Sequence, residues 1–210
     1  MTDQLKLWQS DFGDMYVDRN QLSEQDILNR MNMWQMVLMG ICTPHSVPSS
    51  FLEIGAGIGG NMAAINNIYA SHGKKPELYA IEPNEKARSQ LSMIDNTKII
   101  EKNAFEVSKQ NGSVDLVFTS GVLIHIHPDD QLKALTEMYR VSKKWIVCTE
   151  YFAPETREIL YRGEKSAMWA RDYGSLWLDN FKLRCVSSAF HWKRMTGLDN
   201  TTTWVFEKVH

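Results

Sequence analysis

The chain has 210 residues, 43% of them hydrophobic and 23% charged, which is enough apolar side chain to bury one sizeable core and too little charge for a disordered polymer. A formal net charge of −2, with acids and bases interspersed, excludes the basic footprint that a long nucleic acid demands. No run reaches the roughly 18 apolar residues of a membrane helix, and Met1 to Leu7 lack a basic region followed by an apolar one. The expectation is a protein of the reducing cytoplasm, with no nucleic-acid or membrane partner.

The expected elements begin in a helical cap over residues 1–48. Ser23 is placed to cap a helix in which Ile27, Met31, Trp34, Val37, Leu38 and Ile41 recur at helical spacing, and Thr43-Pro44 ends it. From Phe51 the pattern changes to short apolar runs alternating with helical stretches, as βαβ units require. Strands are expected at Phe51–Ile54, Leu78–Glu82, Lys98–Glu101, Val114–Thr119 and Trp145–Tyr151, with helices at Asn61–Ser71, Asn84–Met93 and Gln131–Val141. Right-handed crossovers then give a mostly parallel sheet. Leu183–Trp192 and Thr202–Val209 flank the turn Gly197-Leu198-Asp199-Asn200 and should pair as an antiparallel edge hairpin. The whole chain, 1–210, reads as one unit: cap (1–48), core (51–151), a substrate-side insertion (152–182) and hairpin (183–210). Cys42, Cys148 and Cys185 are an odd number, widely spaced among apolar neighbours, and are expected as buried thiols.

Gly55-Ala56-Gly57-Ile58-Gly59-Gly60 follows the first strand and opens a helix, where glycines allow a tight turn and close approach of backbone to a ligand. Gly55, Gly57 and Gly60 also satisfy the dinucleotide pattern G-x-G-x-x-G, with Glu82 at a suitable distance to grip a ribose, so an NAD-linked oxidoreductase stays open. Glu53, two residues ahead of the glycines, favours S-adenosylmethionine instead. A carboxylate there repels a pyrophosphate and attracts the amine of an amino acid.

Phe51-Leu52-Glu53-Ile54-Gly55-Ala56-Gly57-Ile58-Gly59 resembles the first motif of class I S-adenosylmethionine-dependent methyltransferases. Ala80-Ile81-Glu82-Pro83-Asn84 is similar to their second-strand motif, whose acid takes both ribose hydroxyls, and Asn103-Ala104-Phe105 to the stretch flanking the adenine. Asp115-Leu116-Val117-Phe118 followed by Ser120-Gly121-Val122-Leu123 resembles the fourth strand and its cofactor-facing exit. The resemblance implies a Rossmann-like α/β fold with a seven-stranded, mostly parallel sheet, an antiparallel carboxyl-terminal edge hairpin and S-adenosyl-L-methionine as cofactor. Trp8, Phe12-Gly13-Asp14, Tyr16 and Arg19-Asn20, with Tyr161-Arg162-Gly163 and Arg171-Asp172-Tyr173-Gly174, resemble a methyltransferase subgroup associated with pseudaminic acid biosynthesis. That likeness implies a sugar, sugar nucleotide or sugar-linked acceptor.

Methyl transfer from a sulfonium relies on positioning, and a base is needed only for a protonated hydroxyl. His125 and His127 follow the fourth strand. Either could accept a proton from a substrate hydroxyl; His125 is the candidate base, with a cofactor contact as its alternative, and His127 is alternatively the entry to the helix at Pro128-Asp129-Asp130, while no carboxylate or cysteine cluster accompanies the pair as metal ligands. Trp8, Tyr16 and Arg19 are expected over the cofactor, Arg19 meeting its carboxylate, or else as core aromatics and a surface cation. Tyr151, Tyr161, Arg162 and Arg171 are the candidate substrate residues, suited to an anionic or hydroxylated acceptor, with a solvated helical face as the alternative for the 161–172 segment. The reading is methyl transfer to a hydroxyl or amine of a small, sugar-like metabolite. The competitors are the NAD-linked oxidoreductase and a binding protein that keeps the cofactor cleft without catalysis.

Overall fold

The computed structural model describes residues 2–44 and 46–209. The cap consists of three helices. α1 (Asp3–Trp8) and α2 (Asp11–Arg19) start on side-chain caps from Thr2 and Ser10, and α3 (Glu24–Ile41) starts on a reciprocal capping box between Ser23 and Asp26. α3 buries Met33, Trp34, Val37, Leu38 and Ile41, with Ile27 and Met31 half-buried beside them. Only α3 was legible as an apolar stripe, because α1 buries no side chain and α2 buries only Gly13 and Val17.

β1 (Ser50–Ile54), α4 (Gly60–Ala70), β2 (Glu77–Ile81), α5 (Glu85–Leu91), β3 (Thr97–Ile99), β4 (Val114–Ser120), a 3-10 turn (Leu123–His125), α6 (Pro128–Val141) and β5 (Ser142–Glu150) follow in order. α6 begins three residues before its apolar stripe, since Pro128 suits the first helical position and the His127 ring accepts the Asp129 N–H. β5 also begins early, at Ser142, because backbone pairing with Val114 extends past the polar Lys143-Lys144. β6 (Arg157–Glu158) and β7 (Trp169–Ala170) form a separate antiparallel ribbon that the sequence did not announce. α7 (Tyr173–Asn180), β8 (Leu183–His191), α8 (Lys193–Thr196) and β9 (Thr201–Lys208) complete the chain.

The large sheet has seven strands in the order β3-β2-β1-β4-β5-β9-β8, parallel from β3 to β5 and antiparallel beyond. It is a Rossmann-like, mostly parallel sheet with the expected antiparallel edge hairpin. The connection of that hairpin holds the short helix α8 as well as a turn, closed by Gly197 in the left-handed region. All five β1 residues are buried, as a central parallel strand covered on both faces requires. Phe51, Leu78, Leu116 and Phe118 face α3 and α4, whereas Leu52, Ile54 and Val117 pack in the other core with α6 and α7. Trp169 and Trp177 are packing residues, both buried. The thiols depart from expectation: Cys148 is buried, Cys42 half-buried and Cys185 exposed on β8, where strand alternation at an uncovered edge overrides the apolar neighbours. Among the described residues no helix is long and apolar enough to cross a membrane.

The chain leaves β1 toward β2 and leaves β4 toward β5, so their carboxyl ends part at a topological switch point. Open sheets bind ligands at such a crevice.

Candidate active site

A cleft of about 290 Å³ opens at that switch point. Gly55 and Gly57 have φ of 72° and 54°, the left-handed region that disfavours a side chain. A Cβ on Gly55 would stand 2.5 Å from Val122 Cγ2, so the turn after β1 packs on the turn after β4; a Cβ on Gly57 would meet nothing within 4 Å. The glycine turn is pinned from β2, the N–H groups of Gly55 and Ala56 donating to the Ile81 carbonyl at 2.7 and 3.0 Å. Glu82, just past β2, accepts from the Gly57 N–H at 2.7 Å and from the Asn84 N–H at 2.8 Å. Burial raises its pKa despite those two donors.

Glu53 lies beneath the turn, 1% exposed. One carboxylate oxygen accepts from Asn61 Nδ2 at 2.7 Å, and Asn61 is itself held by the Trp34 indole N–H at 3.2 Å. The other oxygen, Oε2, is buried with no partner. Burial pushes the pKa of Glu53 up to about 8, against the opposing pull of Asn61 and Arg30. An unpartnered buried acceptor costs free energy that a cationic donor would recover.

The expected cofactor residues Trp8, Tyr16, Glu53, Gly55, Ala56, Gly57, Glu82, Pro83, Asn103, Ala104, Phe105, Ser120, Gly121 and Val122 all line the cleft. Leu123 does not; it is 0% exposed and belongs to the core, because the 3-10 turn rotates it inward. Arg19 is exposed at the end of α2 and contributes nothing to the lining. The cation at the cleft is Arg30 of α3, which donates to the Asp26 carbonyl at 3.2 Å and packs against Gly60, where a Cβ would stand 2.8 Å from its Nε. The sequence carried a signal for it: Arg30 sits one turn before Trp34 on the buried stripe of α3. Asn61 and Asn84, also in the lining, had no such signal. Asn84 ties the cap to the cleft, donating to Asp14 Oδ1 at 2.8 Å and to the Trp8 carbonyl at 3.2 Å.

A second space of about 160 Å³ adjoins the first and shares Tyr16, Arg30, Asn61, Ser120, Gly121, His125 and Asp199 with it. Tyr151, Tyr161, Thr149 and Thr201 also line this chamber, and Asp199 reaches both spaces from the hairpin connection. Burial pushes the phenols of Tyr16 and Tyr151 up to about 12, so both remain hydrogen-bond donors at neutral pH. His125 Nδ1 lies 2.7 Å from the Ala167 carbonyl. A carbonyl only accepts, so Nδ1 carries the proton and Nε2 holds the lone pair. Burial pushes this imidazole down to about 4 and keeps it neutral. Its ring is wedged between Trp8 at 4.6 Å and Tyr161 at 5.2 Å. His127 caps α6, packs against Trp169 and lines neither space.

Two expected substrate residues lie outside the chamber. Arg162 is exposed and packs over the Tyr161 ring, and Arg171 donates to Gln131 Oε1 at 3.0 Å. The local turn at 162, with φ of 53°, and the buried Gln131 take these cations away from the cleft.

The residues present suit a nucleoside joined to an amino acid: an unpartnered buried carboxylate oxygen, a guanidinium nearby, a second acid at the strand end and an open glycine face. A pyrophosphate would meet two buried acids instead.

Residues 52–145, which frame the cleft from β1 to the start of β5, match the family model described as a methyltransferase domain. No curated protein matches the chain in sequence. Solved structures do match in fold. The Burkholderia thailandensis 1,6-didemethyltoxoflavin-N1-methyltransferase, solved with its substrate and S-adenosylhomocysteine, is 15% identical with a TM-score of 0.72 over 98% of this chain and 88% of that one. The magnesium protoporphyrin IX methyltransferase of Synechocystis PCC 6803 is 11% identical, with a TM-score of 0.68 over 100% and 99% of the two chains. A Haemonchus contortus phosphoethanolamine N-methyltransferase is 16% identical, with a TM-score of 0.69 over 100% of this chain and 50% of that one. A methyltransferase-domain segment thus frames a cleft of this chemistry on a methyltransferase-like fold, which supports S-adenosylmethionine-dependent methyl transfer as the activity.

Proposed function

We propose that the enzyme methylates a hydroxyl or amine of a small, sugar-like metabolite held in the 160 Å³ chamber. The observation that carries this reading is the chamber itself, which adjoins the cofactor cleft through His125, Ser120 and Gly121 and is walled by phenols and hydroxyls. Its volume is close to that of a cavity that holds one six-membered ring. The resemblance to methyltransferases associated with pseudaminic acid biosynthesis supports the same class, since Trp8, Tyr16 and Tyr161 of those motifs line the two spaces. The absence of Arg162 and Arg171 from the lining removes the reason to require an anionic acceptor.

When bound, S-adenosylmethionine supplies a methyl carbon made electrophilic by its sulfonium. In this reading Glu53 and Arg30 take the amine and carboxylate ends of its methionine, Glu82 takes the ribose hydroxyls and Asn103 to Phe105 flank the adenine. Tyr16 and Tyr151 donate to acceptor oxygens and fix the nucleophile's direction, which supplies much of the rate of an in-line displacement. His125 Nε2 accepts a hydrogen bond from the nucleophile's O–H or N–H. A base held near 4 draws the proton only as the nucleophile becomes acidic on bond formation.

Incubating the enzyme with methyl-labelled S-adenosylmethionine and a panel of monosaccharides, amino sugars and small amines tests this. The expected result is one acceptor gaining one methylene mass, with loss of that product in Tyr151→Phe or His125→Ala. Tight binding of S-adenosylhomocysteine without label on any acceptor would favour a binding protein instead.

A further inference from the structure

We propose that Glu150, at the carboxyl end of β5, is a positioning residue that holds the β4 exit turn against the cofactor. Glu150 is 0% exposed and lines neither the cleft nor the chamber. Beyond the last β4–β5 rung, where the Gly121 N–H donates to the Thr149 carbonyl at 2.8 Å, Gly121 with φ of 69° turns the chain out of the sheet. The 3-10 turn then consumes the N–H groups of His125 and Ile126 through Val122 and Leu123 carbonyls. The N–H groups of Val122, Leu123 and Ile124 fall between the two patterns and have neither sheet nor helix partner. Glu150 takes all three: Oε1 accepts from Val122 at 3.2 Å and Leu123 at 3.1 Å, and Oε2 accepts from Ile124 at 3.4 Å.

This single carboxylate therefore sets two walls at once. Val122 lines the cleft and packs on Gly55, while His125, one residue past the clamped amides, lines both spaces. Leu123 and Ile124 are buried, so without an acceptor the turn must either leave donors unpaired or move. Moving it shifts Val122 and His125 together. The role rests on the reading that the cleft holds the S-adenosyl group.

The test is calorimetric binding of S-adenosylhomocysteine to the parent enzyme, Glu150→Ala and Glu150→Gln, with hydrogen exchange followed along the chain. The expected result is at least a tenfold weaker affinity for the alanine variant, on the order of one lost charged hydrogen bond, and partial recovery for glutamine, which keeps one acceptor oxygen. Exchange should rise at Val122 to Ile124 and stay at parental levels in β1 and the edge hairpin. Parental affinity in both variants overturns the role, as does a loss accompanied by faster exchange throughout, which would mark a general loss of stability. A parent that binds no S-adenosylhomocysteine overturns the reading of the cleft, and the positioning role falls with it.

Discussion

Glu82 and Glu150 use the same device on opposite sides of the switch point. Each stands at the end of a strand and accepts backbone N–H groups from the turn that ends a neighbouring strand, Glu82 from the turn after β1 and Glu150 from the turn after β4. They differ in where the second face of the carboxylate looks. Glu82 keeps its position in the cleft lining with two donors, whereas Glu150 is sealed with three and lines nothing. Burial raises both pKa values, that of Glu150 to about 7, in spite of those donors. The contrast separates an acid placed to meet a ligand from one placed to shape the backbone that meets it, and exposure to the cleft is the distinguishing property.

Glu53 sharpens the contrast, because it is an acid with an unpartnered oxygen, and it carries the largest expected effect. With a folded pKa of about 8 against an ordinary 4.5, its unfolded form ionises above pH 4.5 while its folded form stays protonated. Stability of the ligand-free enzyme should therefore fall as pH rises from about 4.5 to 8, at up to about 1.4 kcal/mol per unit, and then level off. Glu150 adds a shorter arm of the same sign up to about pH 7. His125 acts oppositely: its folded pKa of about 4 lies below the ordinary 6.5, so stability falls as pH drops between those values. Glu53→Gln should remove on the order of 3 kcal/mol of the alkaline loss, measured by urea unfolding at pH 5 and pH 8. An unchanged loss in that variant would break the assignment.

Next in size, Glu82→Ala should weaken S-adenosylhomocysteine binding about a hundredfold, because charged hydrogen bonds to a ligand are lost and the Gly57 N–H is left without its acceptor. Calorimetry reads this directly, and an affinity equal to the parent's would mean that Glu82 neither meets the ligand nor shapes the turn that does. The last comparison is between the glycines. Gly55→Ala combines backbone strain with a clash on Val122 and should cost about 2–4 kcal/mol of stability, whereas Gly57→Ala, with open space, should cost about 1 kcal/mol. Thermal unfolding of the two variants measures the difference. Equal costs would mean that the two turns do not pack as a unit.

The sheet and its helices were legible because burial on both faces of β1 and β4 forces continuous apolar runs, and α3 and α6 show helical stripes. Glycines with a left-handed requirement, and an acid a strand later, likewise announced the cleft. The cation was misplaced: Arg19 lies close to the expected aromatics in sequence, but α2 turns it to solvent, and Arg30 reaches the site from the buried stripe of α3. Asp199 arrives from a hairpin connection nearly fifty residues past β5, and Glu150 reads in sequence only as the polar end of an apolar strand.

The sequence alone determined the strands of the large sheet with the helices α3 to α6, the glycine turn and the acids that flank it, because these follow from periodicity and from backbone angles that only certain residues tolerate. Only the tertiary structure decided which cation faces the cleft, which phenols and hydroxyls wall the chamber and which buried carboxylate holds the β4 exit. Those choices depend on which groups several separate segments bring within hydrogen-bond reach, and no local pattern encodes a distance across the sheet.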